Sequence, residues 1–161
     1  MNKIFYTYHD LLLDVSVIHD QYMSTFTAPP DLVVGLTRGG LVPAVHLSHT
    51  FRAPMIALQW STRDYVEKNA QQLSELLNLA ETGVRILVVD DIFDSGVTLN
   101  SLAEAFQANH LSGRLPVYAA LITNQNSDLH ASFVAEEVLL TGSYIKKTEN
   151  DWIVFPWENN A

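Results

Sequence analysis

The segment Ile86 to Leu99, ILVVDDIFDSGVTL, limits what this chain can fold into more than any other stretch. Its four apolar residues, Ile86 to Val89, read as a strand buried on both faces, because a run without polar alternation has no side to turn to water. Asp90 and Asp91 follow at once. Asp94, Ser95, Gly96, Val97 and Thr98 then open a helix that reads to Asn109. A buried strand that passes through a short loop into a helix is half of a βαβ unit. In open α/β sheets ligands bind at the carboxyl ends of the strands, where this loop lies.

The rest of the chain repeats the pattern. Thr7 to Met23 carries an apolar stripe at Leu11, Leu12, Val15, Ile18 and Tyr22, which predicts a helix. Asp31 to Leu36 follows a Pro-Pro break as a short strand. Leu41 to Phe51 reads as a helix with Pro43 in its first turn, where the missing N–H costs nothing. Pro54 to Trp60, Arg85 to Val89 and Leu115 to Ile122 predict further strands, and Phe133 to Leu140 one near the sheet edge. Gln71 to Ala80 reads as a weak helix or part of a hairpin, ended by Gly83. The tail, Asp151 to Glu158, is aromatic and apolar. The predicted fold class is α/β: an open, mostly parallel twisted sheet with helices on both faces, in one domain over residues 1–161.

Composition narrows the function. At 48% hydrophobic and 17% charged residues the chain is globular rather than disordered. It has no cysteine, which excludes disulfides and thiolate metal sites and agrees with a reducing compartment. The first residues, MNKIFYTYHDLLLD, contain no uninterrupted apolar core of a secretory signal, and no apolar run approaches a bilayer span. A cytoplasmic protein without membrane or nucleic-acid partners is expected, since nine Lys+Arg against 18 Asp+Glu, a net charge of −9, leave no basic face. The six His are dispersed, and neither a Ser-His-Asp set nor a GxGxxG is present.

An acidic chain that binds phosphate needs backbone N–H groups, a few placed cations or a metal. The Asp94–Thr98 loop supplies the first, because a helix N-terminus presents unpaired N–H groups and partial positive charge. Gly96 allows close approach of an anion, and Ser95 and Thr98 add hydroxyls. Carboxylates such as Asp90 and Asp91 beside such a nest make sense with a hard cation or ribose hydroxyls between them. The alternative, strand-ending acids and an Asp that caps a helix, accounts for one Asp better than for three. A second loop, Thr37-Arg38-Gly39-Gly40, follows the first predicted strand. Its glycines expose consecutive N–H groups, and Arg38 is a bidentate phosphate donor.

Ile86 to Thr98 resembles the phosphoribosylpyrophosphate-binding signature of the type I phosphoribosyltransferases, and Thr37 to Pro43 (TRGGLVP) resembles the pyrophosphate loop of their purine-salvage members. The resemblance implies that Asp90 and Asp91 meet the ribose hydroxyls directly or through Mg²⁺, that Asp94 to Thr98 hold the 5′-phosphate, and that Asp94 is a general base near N7 of the base. It also implies a non-proline cis peptide in the Thr37–Gly40 loop. The tail Trp152 to Glu158 (WIVFPWE) resembles that of bacterial xanthine-guanine phosphoribosyltransferases, which implies that Trp152 stacks on a purine and Ile153 offers backbone groups to its edge. Trp157 reads as a core residue. Ser61 to Asn69 lies where the family has a hood, so Ser61, Thr62, Arg63 and Lys68 are expected near the pyrophosphate. Purine members carry a Lys after the strand equivalent to Leu115–Ile122. This chain has Thr123-Asn124-Gln125-Asn126 there, so Asn124 is expected at the base edge, and a neutral amide favours hypoxanthine or guanine over xanthine. The function implied is Mg²⁺-dependent transfer of ribose 5-phosphate to a purine in purine salvage, by a homo-oligomer (dimer or tetramer). A regulator that binds phosphoribosylpyrophosphate without catalysis, or a transferase for another base, is the alternative.

Overall fold

Alternate residues of the central strands point to opposite faces, and both faces are covered. The computed structural model describes residues 1–61, 69–109, 113–127 and 139–158. In it β2 (Leu32–Leu36), β4 (Ile86–Phe93) and β5 (Val117–Asn124) lie at the centre of a five-stranded sheet, between β3 (Met55–Leu58) and β6 (Leu139–Ile145). Val33, Leu87, Val89, Ala119 and Leu121 face Leu11, Val15 and Ile18 of α1 (Tyr8–Thr25) and Leu47 and Phe51 of α2 (Leu41–Phe51). Their neighbours Val34, Val88, Tyr118 and Ala120 face Leu76 of α3 (Ala70–Glu81) and Leu99, Leu102 and Phe106 of α4 (Val97–Ala108). Two-sided burial explains why these strands read as unbroken apolar runs.

All pairs in the sheet are parallel, in the order β3-β2-β4-β5-β6. The chain therefore steps outward from β2 to β3, returns across to β4, and steps outward the other way. The reversal falls between β2 and β4, the kind of crevice where such sheets bind ligands. Both loops singled out in the sequence leave the carboxyl ends of these two strands.

The helix ends follow local rules. Thr7 and Asp10 form a reciprocal capping box on α1, with Asp10 N–H to Thr7 Oγ1 at 3.1 Å and Thr7 N–H to Asp10 Oδ2 at 2.8 Å. Asn69 caps α3 by accepting from Gln72 N–H at 3.0 Å. The stretch read as weak helix or hairpin is therefore a helix, and Gly83 follows it at φ 90°.

Some elements differ from expectation. β4 continues through Asp90 to Phe93, because Ile92 and Phe93 pair with Ile122 and Thr123 of β5. The last strand of the sheet is described from Leu139 to Ile145 rather than over Phe133 to Leu140, and residues 128–138 lie outside the described ones. The start of the chain also forms a strand, β1 (Asn2–Phe5), parallel to β7 (Asp151–Val154) in a separate two-stranded sheet. This piece joins the core through Tyr6, Phe155 and Trp157, with Phe155 and Trp157 stacked at 4.9 Å and 18°.

Candidate active site

Two glycines let the Thr37–Gly40 loop pack against β4. The loop Thr37–Gly40 turns off β2 with a cis peptide between Thr37 and Arg38. Thr37 N–H donates to Leu58 O at 3.0 Å and Gly40 N–H to Leu36 O at 2.9 Å. A Cβ on Gly40 would fall 2.3 Å from Val89 O, and one on Gly39 would fall 2.1 Å from Asp91 Oδ2. No side chain fits at either position without moving β4 or its acids.

The acids are held by their own strand. Asp90 Oδ1 accepts from Asp91 N–H at 2.9 Å, and Asp91 Oδ1 accepts from Ile92 N–H at 2.8 Å. Burial pushes the Asp91 carboxyl above its ordinary value. Its contact with Asp90 and the Ile92 N–H pull the other way, and the charge of Glu158 adds to the rise.

Gly96 stands at φ 85°, ψ −5° as the N-cap of α4 and offers no side chain to it, while Val97 N–H donates to Ser95 Oγ at 3.4 Å. Ser95, Gly96 and Thr98 line the cleft there, so the positive end of the helix opens toward it. Val97 points its side chain outward, exposed. Ser127 ties the loop down by donating to Ser95 O at 2.7 Å.

Asp94 has side-chain partners from distant parts of the chain. Its Oδ1 accepts from Asn124 Nδ2 at 3.1 Å, and its Oδ2 stands 3.0 Å from Lys147 Nζ. Asn124 is only 7% exposed, and its Oδ1 accepts from the N–H groups of Asn126 at 3.1 Å and Lys147 at 3.0 Å. Its amide thus serves Asp94 and the main chain, and it is not among the residues that line the cleft. Lys147 was not singled out in the sequence. The only signal for it was a Lys-Lys pair between the last apolar strand and the aromatic tail of an acidic chain.

The cleft measures ≈ 810 Å³ and takes in Thr37, Arg38, Gly39, Asp90, Asp91, Asp94, Ser95, Gly96 and Thr98. Leu41, Val42, Trp60 and Leu99 form its apolar floor, and Trp60 is fixed by a bond from Nε1 to Ser101 Oγ at 3.0 Å. Trp152 lines it at 42% exposure. Ile153 turns its side chain into the core while its backbone is on β7 beside β1. Trp157 both packs on Phe155 and walls the cleft. Ser61 lines the cleft, and Thr62, Arg63 and Lys68 lie outside the described residues. No described helix is long and apolar enough to cross a membrane.

Residues 5–158 match the family model described as phosphoribosyl transferase domain. A xanthine-guanine phosphoribosyltransferase of Cereibacter sphaeroides is 30% identical over 130 residues, 78% of this chain and 68% of that protein. Among solved structures, a purine phosphoribosyltransferase of Pyrococcus horikoshii superimposes with a TM-score of 0.67 at 24% identity, over 98% of this chain and 95% of that one. A hypothetical protein of Neisseria gonorrhoeae with bound ppGpp gives 0.73 at 20% identity, over 98% and 89%. Both structures share the fold described above.

Proposed function

This chain belongs to the phosphoribosyl transferase family, and on that footing we propose that it moves ribose 5-phosphate from 5-phosphoribosyl-1-pyrophosphate to a purine, one of hypoxanthine, guanine or xanthine, with release of pyrophosphate. The observation that carries the reading is that the Thr37–Gly40 loop and the α4 N-terminus line one cleft beside Asp90 and Asp91, with an exposed indole, Trp152, in the same wall. The Cereibacter relative, named for xanthine and guanine, supports the purine. The same reading assigns the protein to purine salvage in the cytoplasm, as a homo-oligomer.

The donor set suits Mg²⁺. Asp90 and Asp91 are hard oxygen donors in the cleft, and no closed cage of three or more His, Cys, Asp or Glu exists among the described residues. Mg²⁺ is usually held by one or two carboxylates together with substrate phosphates. Bound by these two residues it would offset the charge that develops on departing pyrophosphate.

The remaining roles fall to the chain itself. The α4 N-terminus with Ser95, Gly96 and Thr98 takes the 5′-phosphate. Thr37 to Gly40, with the Arg38 guanidinium, hold the pyrophosphate. As the C1–O bond breaks, its electron pair leaves on pyrophosphate, and a ring nitrogen of the base forms the new C1–N bond. The proton that the base gives up passes to a carboxylate oxygen of Asp94. Trp152 offers a stacking face worth about 1–3 kcal/mol per base. Fixing both reactants in one cleft removes the entropic cost of their encounter.

Turnover of each base with phosphoribosylpyrophosphate and Mg²⁺ tests the proposal. Nucleotide and pyrophosphate should form in equal amounts with at least one 6-oxopurine. Binding of phosphoribosylpyrophosphate without turnover of any base would make the chain a regulator instead.

A further inference from the structure

A second hollow opens at the opposite end of the sheet from the cleft, where β4 and β5 begin and α1 ends. It measures ≈ 220 Å³, below the roughly 300 Å³ of pockets that take drug-sized ligands. From Arg85 here to Asp90 in the cleft the chain runs along β4, roughly 17 Å at about 3.3 Å per residue. Phe26, Ile86, Leu115 and Val117 give the hollow apolar walls. Two of the chain's nine Lys and Arg, Arg85 and Arg114, line it as well, in a protein of net charge −9.

The polar groups around it suit an anion. Asp31 accepts from Arg85 Nε at 3.0 Å and Nη2 at 2.6 Å, and from the Arg85 backbone N–H at 2.9 Å. That fixes the guanidinium and leaves its Nη1 donors free. Arg114 donates its backbone N–H to Ala80 O at 3.0 Å, and its guanidinium has no hydrogen-bond partner among the described residues. Tyr22 also lines the hollow. It is 2% exposed, with its ring held against Phe26 and Phe51 at 4.7 and 5.1 Å, and its hydroxyl has no hydrogen-bond partner among the described residues. Burial pushes that hydroxyl's pKa up, the Arg85 charge pulls it down, Asp31 adds to the rise and Arg114 opposes it, so all three charges face it. With Asp31 offsetting Arg85, one positive charge is left over beside a buried donor that has no acceptor. Such a donor costs free energy that an acceptor on a ligand recovers.

We propose that this hollow binds a small organic carboxylate with a flat apolar body, the carboxylate meeting Arg85, Arg114 and the Tyr22 hydroxyl and the body lying against Phe26, Ile86, Leu115 and Val117. The apolar walls favour that class over inorganic phosphate, which has nothing to place on them. None of these residues lines the cleft, so the site stands independently of the transfer reading.

Calorimetric titration with benzoate as the probe tests this, with inorganic phosphate as a second probe, on wild type, Arg114→Met, Tyr22→Phe and Gly96→Val, each checked by a thermal melt. Benzoate should bind wild type with a Kd of about a millimolar. Arg114→Met should weaken it about tenfold or more, and Tyr22→Phe about threefold to tenfold, the effects of losing a charge-assisted and a neutral hydrogen bond. Gly96→Val, at the other end of the sheet, should leave it within about twofold. Arg114 is exposed, so its replacement leaves the core intact and carries the test even where Tyr22→Phe does not fold. Absence of benzoate binding to wild type, tighter binding of phosphate than of benzoate, or an unchanged affinity in folded Arg114→Met overturns the inference. Loss of benzoate binding in folded Gly96→Val puts the probe in the cleft and overturns it as well.

Discussion

A Cβ on Gly39 would fall 2.1 Å from Asp91 Oδ2, so the tip of the first loop and the second acid of β4 occupy adjoining space with no room for a methyl group. Gly39→Ala must push Asp91 or the loop away. Overpacking of this kind costs about 1–3 kcal/mol. A fall in melting temperature, with KM for phosphoribosylpyrophosphate raised about tenfold or more, is expected from melts and steady-state kinetics. Normal values for both would show that this loop and Asp91 are not coupled.

Gly96→Val addresses the other loop. At φ 85° an L-residue is strained by roughly 1–2 kcal/mol, and the new side chain would stand at the mouth of the α4 N-terminus. The fold should survive while binding of phosphoribosylpyrophosphate is nearly abolished. Calorimetric titration checks this, and near-normal affinity would remove the 5′-phosphate from this helix end.

Metal dependence is checked on the acid pair. Turnover should cease in excess EDTA and return with Mg²⁺ or Mn²⁺. Asp90→Asn with Asp91→Asn should raise the concentrations of metal and of phosphoribosylpyrophosphate needed for half-maximal rate together, since both are held at one place. Full turnover in EDTA, or a shift in only one of the two, would contradict the assignment.

Asp14 predicts a pH effect on stability. It is 6% exposed and accepts from Tyr6 Oη at 2.6 Å and Ser143 Oγ at 3.2 Å, and Gly142 leaves the room for it. Burial pushes its carboxyl above the ordinary 3.8, against the pull of the two donors. The folded state therefore holds the proton more tightly than the unfolded one. Ionised Asp14 costs stability at neutral pH, and that cost vanishes as pH falls through the raised value toward 3.8. Melting temperatures of wild type and Asp14→Asn between pH 7 and 4 should show the wild type gaining on the variant as pH drops. A constant gap would mean that burial does not perturb this group.

The apolar run Ile86 to Val89 was enough to place a strand at the centre of a parallel sheet, because two-sided burial leaves no polar residue in such a strand. The stripe of α1, the first-turn Pro43 of α2 and the DDIFDSGVT loop were equally legible, since each acts over a few neighbouring residues. β1 was not. Asn2 to Phe5 is four residues long with all of its side chains exposed, and it is a strand only because β7, at the other end of the chain, lies beside it. The partners of Asp94 were hidden for the same reason. Which amide and which ammonium reach its oxygens depends on the parallel register that sets Asn124 of β5 opposite Ile145 of β6 and so delivers Lys147 just beyond it. Periodicity and capping are local interactions and can be read along the chain. A contact between residues 94 and 147 arises only when three strands are aligned, and no spacing within any one of them encodes it.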